Sequence, residues 1–229
     1  MRRAASLVIA GALALLAGAC AEKARQEPSA AADLLVTAPA ATAPAPPADR
    51  FVRETGTASW YGRELHGRRS ANGEAFDMHG LSAAHRTLPL GTAIRVTNLD
   101  SERTIEVRVT DRGPFISARS LELSYGAAKE LGFVAQGTAQ VRFETIGPVP
   151  EGGTFTVHAA AFTEEENARL IKERLSQRYE VVSIVPVENN LGKLYRVRVG
   201  NYPSEAKAER IAAKLKLEGL EPVVVRKDN

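Results

Sequence analysis

The chain has 229 residues, 44% of them hydrophobic and 25% charged, with a formal net charge of +3. These are ordinary values for globular protein and leave room for one or two domains; the weak positive balance, with no dense Lys/Arg stripe, argues against nucleic acid as a partner. A single cysteine, Cys20, excludes an internal disulfide, and four scattered histidines have no metal-ligand spacing, so no metal and no cofactor are expected.

The N-terminus reads "MRRAASLVIAGALALLAGAC": two arginines, an apolar run from Leu7 to Leu16, then small residues. That is the pattern of a secretory signal peptide over residues 1–19, and the run is shorter than the roughly 18–20 apolar residues a membrane span needs. Ala-Gly-Ala before Cys20 resembles the bacterial lipobox, although Ala17 stands where that pattern usually has Leu. The resemblance implies acylation of Cys20 and a lipid anchor, and Ala21 in place of Asp favours the outer over the inner membrane. Residues 20–50 continue as an Ala/Pro-rich stretch with few aromatics and no apolar period, the composition of an extended tether.

Folded sequence is expected from Phe51. "TAIRVTNL", "TIEVRVTD" and "TAQVRFETI" alternate apolar and polar residues as half-buried strands do, and only "SYGAAKELGF" reads as a helix, with Ser124 to cap it and Gly132 to end it. This predicts a mainly β domain over 51–147, a small barrel or sandwich. "GPVPEGG" punctuates the chain, giving a linker at 148–153. An internal repeat follows: "FTVHAAAFTEEENARLIKERL" aligns with "YRVRVGNYPSEAKAERIAAKL" at a shift of 40 residues, placing Val157 on Val197, Ala168 on Ala208 and Leu175 on Leu215. Each copy reads as strand, turn, amphipathic helix, then a further apolar strand. Residues 154–229 are therefore expected to form an α+β unit, a four-stranded sheet with two helices on one face and the other face open to solvent.

The stretch "TASWYGRELHGRRSANGEAFD", Thr57 to Asp77, has neither helical nor strand periodicity, yet it holds the only Trp and an Asn-Gly-Glu turn. An aromatic pair such as Trp60-Tyr61 can stack on pyranose rings, but neighbours on a strand face opposite ways, so at most one of the two is expected to line a groove. Asp111 ends an alternating strand and opens "DRGPF", which places a carboxylate at a sheet rim. Glu74 follows the Asn72-Gly73 turn. A carboxylate on a rigid rim is held in place for acid–base work.

Three stretches together, "GTASWYGRELHGRRSANGEAFD", "LSAAHRTLPLGTAIRVTNL" and "VRVTDRGPFISARSLELSYGAAKELG", resemble the rare lipoprotein A family, whose catalytic domain is a double-psi β-barrel. The repeat is similar to a SPOR domain, a βαββαβ peptidoglycan-binding module with an antiparallel sheet. The resemblance implies an endolytic lytic transglycosylase that cleaves the β-1,4 bond between N-acetylmuramic acid and N-acetylglucosamine in denuded glycan, leaving 1,6-anhydro ends. It implies Asp111 and Glu74 as catalytic carboxylates, with either as the proton donor. It brings in His85 as a residue that orients a carboxylate, contacts sugar or is structural. Trp60, Tyr61, Asn98 and Arg112 in the barrel, and His158 and Arg196 in the repeat, are the expected glycan contacts. Ser70 and Thr110 stand where the family commonly has Thr and Asn. His158 and Ala161 replace a usual Gln and Ser, and Leu194 a usual aromatic. The implied partners are denuded glycan strands, a membrane through Cys20 and divisome proteins; the implied location is the periplasmic face of the outer membrane at the division septum. A non-catalytic glycan-binding scaffold of the division site is the alternative.

Overall fold

The computed structural model describes residues 49–150, 152–189 and 192–228. The expected signal peptide, the Cys20 anchor and nearly all of the tether lie outside the described residues.

The first folded part is a closed barrel of six strands: β2 (Arg53–Tyr61), β3 (Ser82–Ala84), β4 (Ala93–Asn98), β5 (Thr104–Asp111), β6 (Leu121–Ser124) and β7 (Thr138–Thr145), arranged in the order β2-β6-β3-β5-β4-β7. Two pairings, β2 with β6 and β3 with β5, are parallel, and the others are antiparallel. A short ladder of β1 (Asp49–Arg50) with β8 (Val149–Pro150) brings the two ends of this part together. Alternation sorts each strand. Ile94, Val96, Val107, Val109, Leu121, Leu123, Val141 and Phe143 point into the barrel and are buried, while their neighbours point out. Thr57–Tyr61 proves to be the second half of β2. Its alternation was invisible because Ala58, Ser59 and Tyr61 are all buried. Both faces of the strand are covered there, so polarity no longer marks the inner one.

The predicted helix is α1 (Tyr125–Leu131). Ser124 Oγ accepts from Ala127 N–H, and Gly132, left-handed at φ 80°, closes the helix onto Ala128 and Lys129. Gly126 N–H donates to Met78 O at 2.8 Å. A Cβ at Gly126 would stand 2.2 Å from His79 O and 2.7 Å from its carbonyl carbon, so the helix must ride directly on the 78–80 backbone. Gly126→Ala is expected to destabilise the protein by about 1–3 kcal/mol through overpacking against backbone, measured as a lower urea midpoint with an unchanged m-value.

The second folded part comprises β9 (Thr154–Phe162), α2 (Glu165–Ser176), β10 (Val182–Asn189), β11 (Gly192–Tyr202), α3 (Glu205–Leu217) and β12 (Val223–Lys227). The sheet order is β10-β11-β9-β12, all antiparallel, as the SPOR resemblance implies. Phe155, Val157, Ala159, Val197, Val199 and Val224 face the helices and pack with Ala168, Leu175, Ala208, Ala212 and Leu215.

The other sheet face departs from expectation. Thr156, His158, Val223 and Val225 lie on it, yet all are buried. The barrel covers it. Phe115 stacks on His158 with ring centroids 5.3 Å apart and 15° between planes, and the Arg196 guanidinium lies 3.8 Å from the centre of the same ring. Arg226 N–H donates to Arg86 O at 2.9 Å, occupying the outer edge of β12. Arg112 makes a two-pronged ion pair with Asp228, and Ser117 Oγ bonds Glu221 at 3.1 Å.

Candidate functional site

The barrel's register builds the site. Ala84, in the short strand β3, is the Cα partner of Asp111 on one side and of Glu122 on the other. Directly opposed residues of paired strands point to the same face, so both carboxylates project from the outer wall of the barrel on either side of the Ala84 methyl. Ser59 pairs with Glu122 on the same face, and Tyr61 follows two residues later. Tyr61 packs on Phe76 at 4.6 Å and, with Phe76 and Ala84, forms a small apolar cluster beneath the carboxylates.

Asp111 is well held. Its Oδ1 accepts from Arg112 N–H at 2.8 Å and from Ala71 N–H at 3.1 Å. Asn72 N–H adds a bond to Thr110 O at 3.1 Å, so the turn that carries Glu74 is strapped to the end of β5. In that turn Ser70 N–H reaches Glu74 O, Asn72 Oδ1 accepts from Glu74 N–H, and Asn72 Nδ2 donates to Glu74 Oε2 at 2.7 Å. Glu74 is exposed at the same rim as Asp111. Thr110 contributes only its carbonyl to this strap, which any residue there supplies.

Glu122 was not singled out by sequence reasoning. The signal available was "LELS", a strand in which Glu122 points away from the core between Leu121 and Leu123. An outward glutamate is ordinarily a solvated one. Its side chain is only about a quarter exposed, with Arg119 Nη1 at 3.8 Å. Arg119 also donates to Ser59 Oγ at 3.1 Å. Burial raises the carboxyl pKa at Glu122, Arg119 opposes the rise, and the charge of Asp111 adds to it. Burial also raises Asp111, against the two backbone N–H bonds and the charges of Arg112 and Arg196. The Tyr61 hydroxyl is pushed up by burial and then by Asp111 and Glu122, with Ser82 opposing the rise.

Other candidates fall elsewhere. Asn98 is 3% exposed, donates through Nδ2 to Leu131 O and accepts from Asp100 N–H, so it is a buried clamp on α1, not a sugar contact. Arg112 donates to His85 O and Leu88 O as well as to Asp228, so its guanidinium has no free edge for sugar. Trp60 packs on the core, edge-on to Tyr125 at 5.5 Å, with Nε1 bonded to Val134 O. Tyr61 is beneath the site. Neither aromatic of the pair is the stacking platform expected of one of them, because both rings fill gaps in the fold. His85 is 4% exposed; its Nδ1 accepts from Thr87 and Leu88 N–H, and its Nε2 faces Glu54 at 4.0 Å. It shapes the turn after β3 instead of orienting a carboxylate, although its backbone N–H bonds Asp111 O at 3.1 Å. A cleft of about 430 Å³ lies beside it, lined by Glu54, Arg86, Glu205 and Glu209 among others, apart from the Asp111 rim. Among the described residues no group of three or more His, Cys, Asp or Glu has metal-binding geometry.

Burial first, then the neighbouring arginines, pushes both His85 and His158 down to about 3. An unfolded histidine takes up its proton near pH 6.5, well above the folded value, so this stability is complete above pH 6.5 and is lost as pH falls toward 3. In urea titrations between pH 6 and 4, wild type is expected to lose about 1.4 kcal/mol per pH unit relative to His158→Gln; parallel pH curves for the two would contradict the buried neutral state.

Residues 53–143 match the family described as lytic transglycolase, and residues 151–226 match the SPOR domain. A Neisseria meningitidis serogroup B protein named endolytic peptidoglycan transglycosylase RlpA is 38% identical over 168 residues, covering 70% of each chain. The chain belongs to the RlpA family. Its barrel is a double-psi β-barrel and its second half a SPOR domain. A Pseudomonas aeruginosa RlpA is 55% identical over 100 residues, 44% of this chain, and the match spans only 29% of that relative's length. Among solved structures, the Streptomyces papain inhibitor is similar over 40% of this chain and 94% of its own, at 22% identity and a TM-score of 0.33.

Proposed function

We propose that this RlpA-family chain is an endolytic peptidoglycan lytic transglycosylase, cleaving the N-acetylmuramic acid–β-1,4–N-acetylglucosamine bond of denuded strands and leaving 1,6-anhydro ends. The observation that carries it is the carboxylate at the barrel rim: Asp111, pinned by two backbone N–H bonds, beside the Glu74 turn and across Ala84 from Glu122. A transglycosylase needs a proton donor and acceptor but no water-activating base, because the muramic C6 hydroxyl is the nucleophile. Partly buried carboxylates fixed on strand ends suit that task. His158 and Arg196 are the SPOR side chains assigned to glycan at the septum; Phe115 of the barrel covers both, so the face must be released before they engage a strand.

The domain reading that accompanies this is a signal peptide at 1–19, a lipidated Cys20 with tether to residue 50, the barrel at 51–147, a linker at 148–153 and the SPOR domain at 154–229. It places the protein on the inner leaflet of the outer membrane, among divisome proteins. The test is to incubate the folded chain with denuded glycan and analyse the products by mass spectrometry. New 1,6-anhydromuramyl ends are expected. Glycan binding without them would make the protein a scaffold of the division site.

A further inference from the structure

The family resemblance directs attention to Asp111 and Glu74, but the side chains divide the labour differently. Asp111 and Glu122 flank one residue, Ala84, on one face of the sheet. Two strand spacings put their Cα atoms about 10 Å apart, a gap that carboxyl groups leaning over an alanine methyl shorten. A second observation fixes where the Glu122 carboxylate lies. A Cβ on Gly113 would stand 2.6 Å from Glu122 Oε2, so the carboxylate rests against the backbone two residues beyond Asp111. Glu74 lies instead on an exposed turn with its Oε2 tied to Asn72.

The two members of the pair are solvated unequally. Asp111 Oδ1 accepts two N–H bonds, which favour the anion. Among the described residues none donates a comparable hydrogen bond to Glu122; Arg119 approaches only to 3.8 Å. The charged and titratable groups facing Glu122 are Arg119 from the loop before β6, Asp111 from β5, Tyr61 from β2 and Arg196 from β11. When two carboxylates share a site, one proton is retained, and it stays on the member whose anion is less well supported.

We propose that Glu122 is the acid that protonates the glycosidic oxygen, with Asp111 as the ionised partner that accepts the proton of the muramic C6 hydroxyl. This rests on the transglycosylase reading. The bond from C1 to the glycosidic oxygen breaks, and its electron pair stays on that oxygen, which takes the Glu122 proton and leaves as the N-acetylglucosamine 4-hydroxyl. The C6 oxygen bonds to C1 and releases its proton to Asp111. Atoms and charge balance without water or an external reagent. The pair ends with its proton on Asp111, and transfer back to Glu122 restores the starting state.

The experiment measures anhydro-end formation from denuded glycan between pH 4 and 9 for the wild-type chain and for Glu122→Gln and Glu122→Asp, with a carbon-13 NMR titration of the wild-type carboxyl groups alongside. Glu122→Gln is expected to lower the rate by about 10²–10⁴-fold and to remove the fall in rate on the alkaline side. Glu122→Asp should recover part of the rate. In the titration Glu122 should lose its proton after Asp111. A folded Glu122→Gln with wild-type rate and profile overturns the assignment, as does the reverse order of titration, which needs no variant to fold. A wild-type chain that makes no anhydro ends removes the transglycosylase reading and the donor role with it. Wild-type activity with an indifferent Glu122→Gln removes the donor role alone.

Discussion

Asp111→Asn is expected to lower anhydro-end formation by about 10²–10⁴-fold, the usual contribution of a positioned acid or base, while leaving the melting temperature within a few degrees of wild type. The two halves of that expectation have different causes. The structural work of Asp111 is done by Oδ1, which accepts from Arg112 and Ala71 N–H. An asparagine amide oxygen can accept the same two bonds, so the strap between β5 and the Glu74 turn survives. An amide cannot exchange a proton near neutral pH, so the chemistry does not. Asp111→Ala should differ in kind. It leaves both N–H groups without their acceptor, and each unsatisfied donor costs about 1–3 kcal/mol where it is shielded from water. Comparing the two variants by mass spectrometry and by thermal melting separates the chemical role from the structural one. Wild-type rates in a folded Asp111→Asn chain would place the reaction elsewhere.

Features written into local sequence were legible before any coordinates. The 40-residue repeat predicted two strand–helix–strand units, and α2 and α3 begin at Glu165 and Glu205, 40 apart. Ser124 and Gly132 marked the ends of α1 because a cap and a left-handed glycine are chemical requirements of a helix end. Asp111 was legible as a strand-end carboxylate from alternation alone. What escaped was register. Glu122 becomes the neighbour of Asp111 only because β3 inserts between β5 and β6, parallel to one and antiparallel to the other. No spacing in the chain encodes that adjacency. Asn98 and Arg112 were misread for a related reason. Their polar groups looked available to sugar, but α1 and the far end of β12 bring carbonyls and a carboxylate to meet them. The covered sheet face of the second domain was hidden in the same way. Its exposed-looking pattern, polar Thr156 and His158 opposite apolar Val157, reads as solvent, and only the barrel's Phe115 loop makes it an interface.

Phe115→Ala is expected to strengthen binding of denuded glycan by about 5–100-fold, measured by co-sedimentation in an Asp111→Asn background so that the strand is not cut. Phe115 is flat on His158 and under the Arg196 guanidinium. These are the two SPOR side chains assigned to glycan, and a sugar ring stacked there would occupy the space of the phenyl ring. An aromatic stack contributes about 0.5–1.5 kcal/mol and a partly desolvated cation–π contact about 0.5–2 kcal/mol, so glycan must displace about 1–3 kcal/mol of internal contact. Apparent affinity falls by the fraction of molecules with the face free, and truncating the ring raises that fraction. The Arg112–Asp228 ion pair and the Arg226–Arg86 backbone bond remain in the variant, which keeps the gain finite. The same substitution should make the linker near 148–153 more susceptible to protease, because the barrel then holds the second domain less tightly. Unchanged or weaker glycan binding would mean that His158 and Arg196 serve the domain contact and that sugar is recognised on another surface.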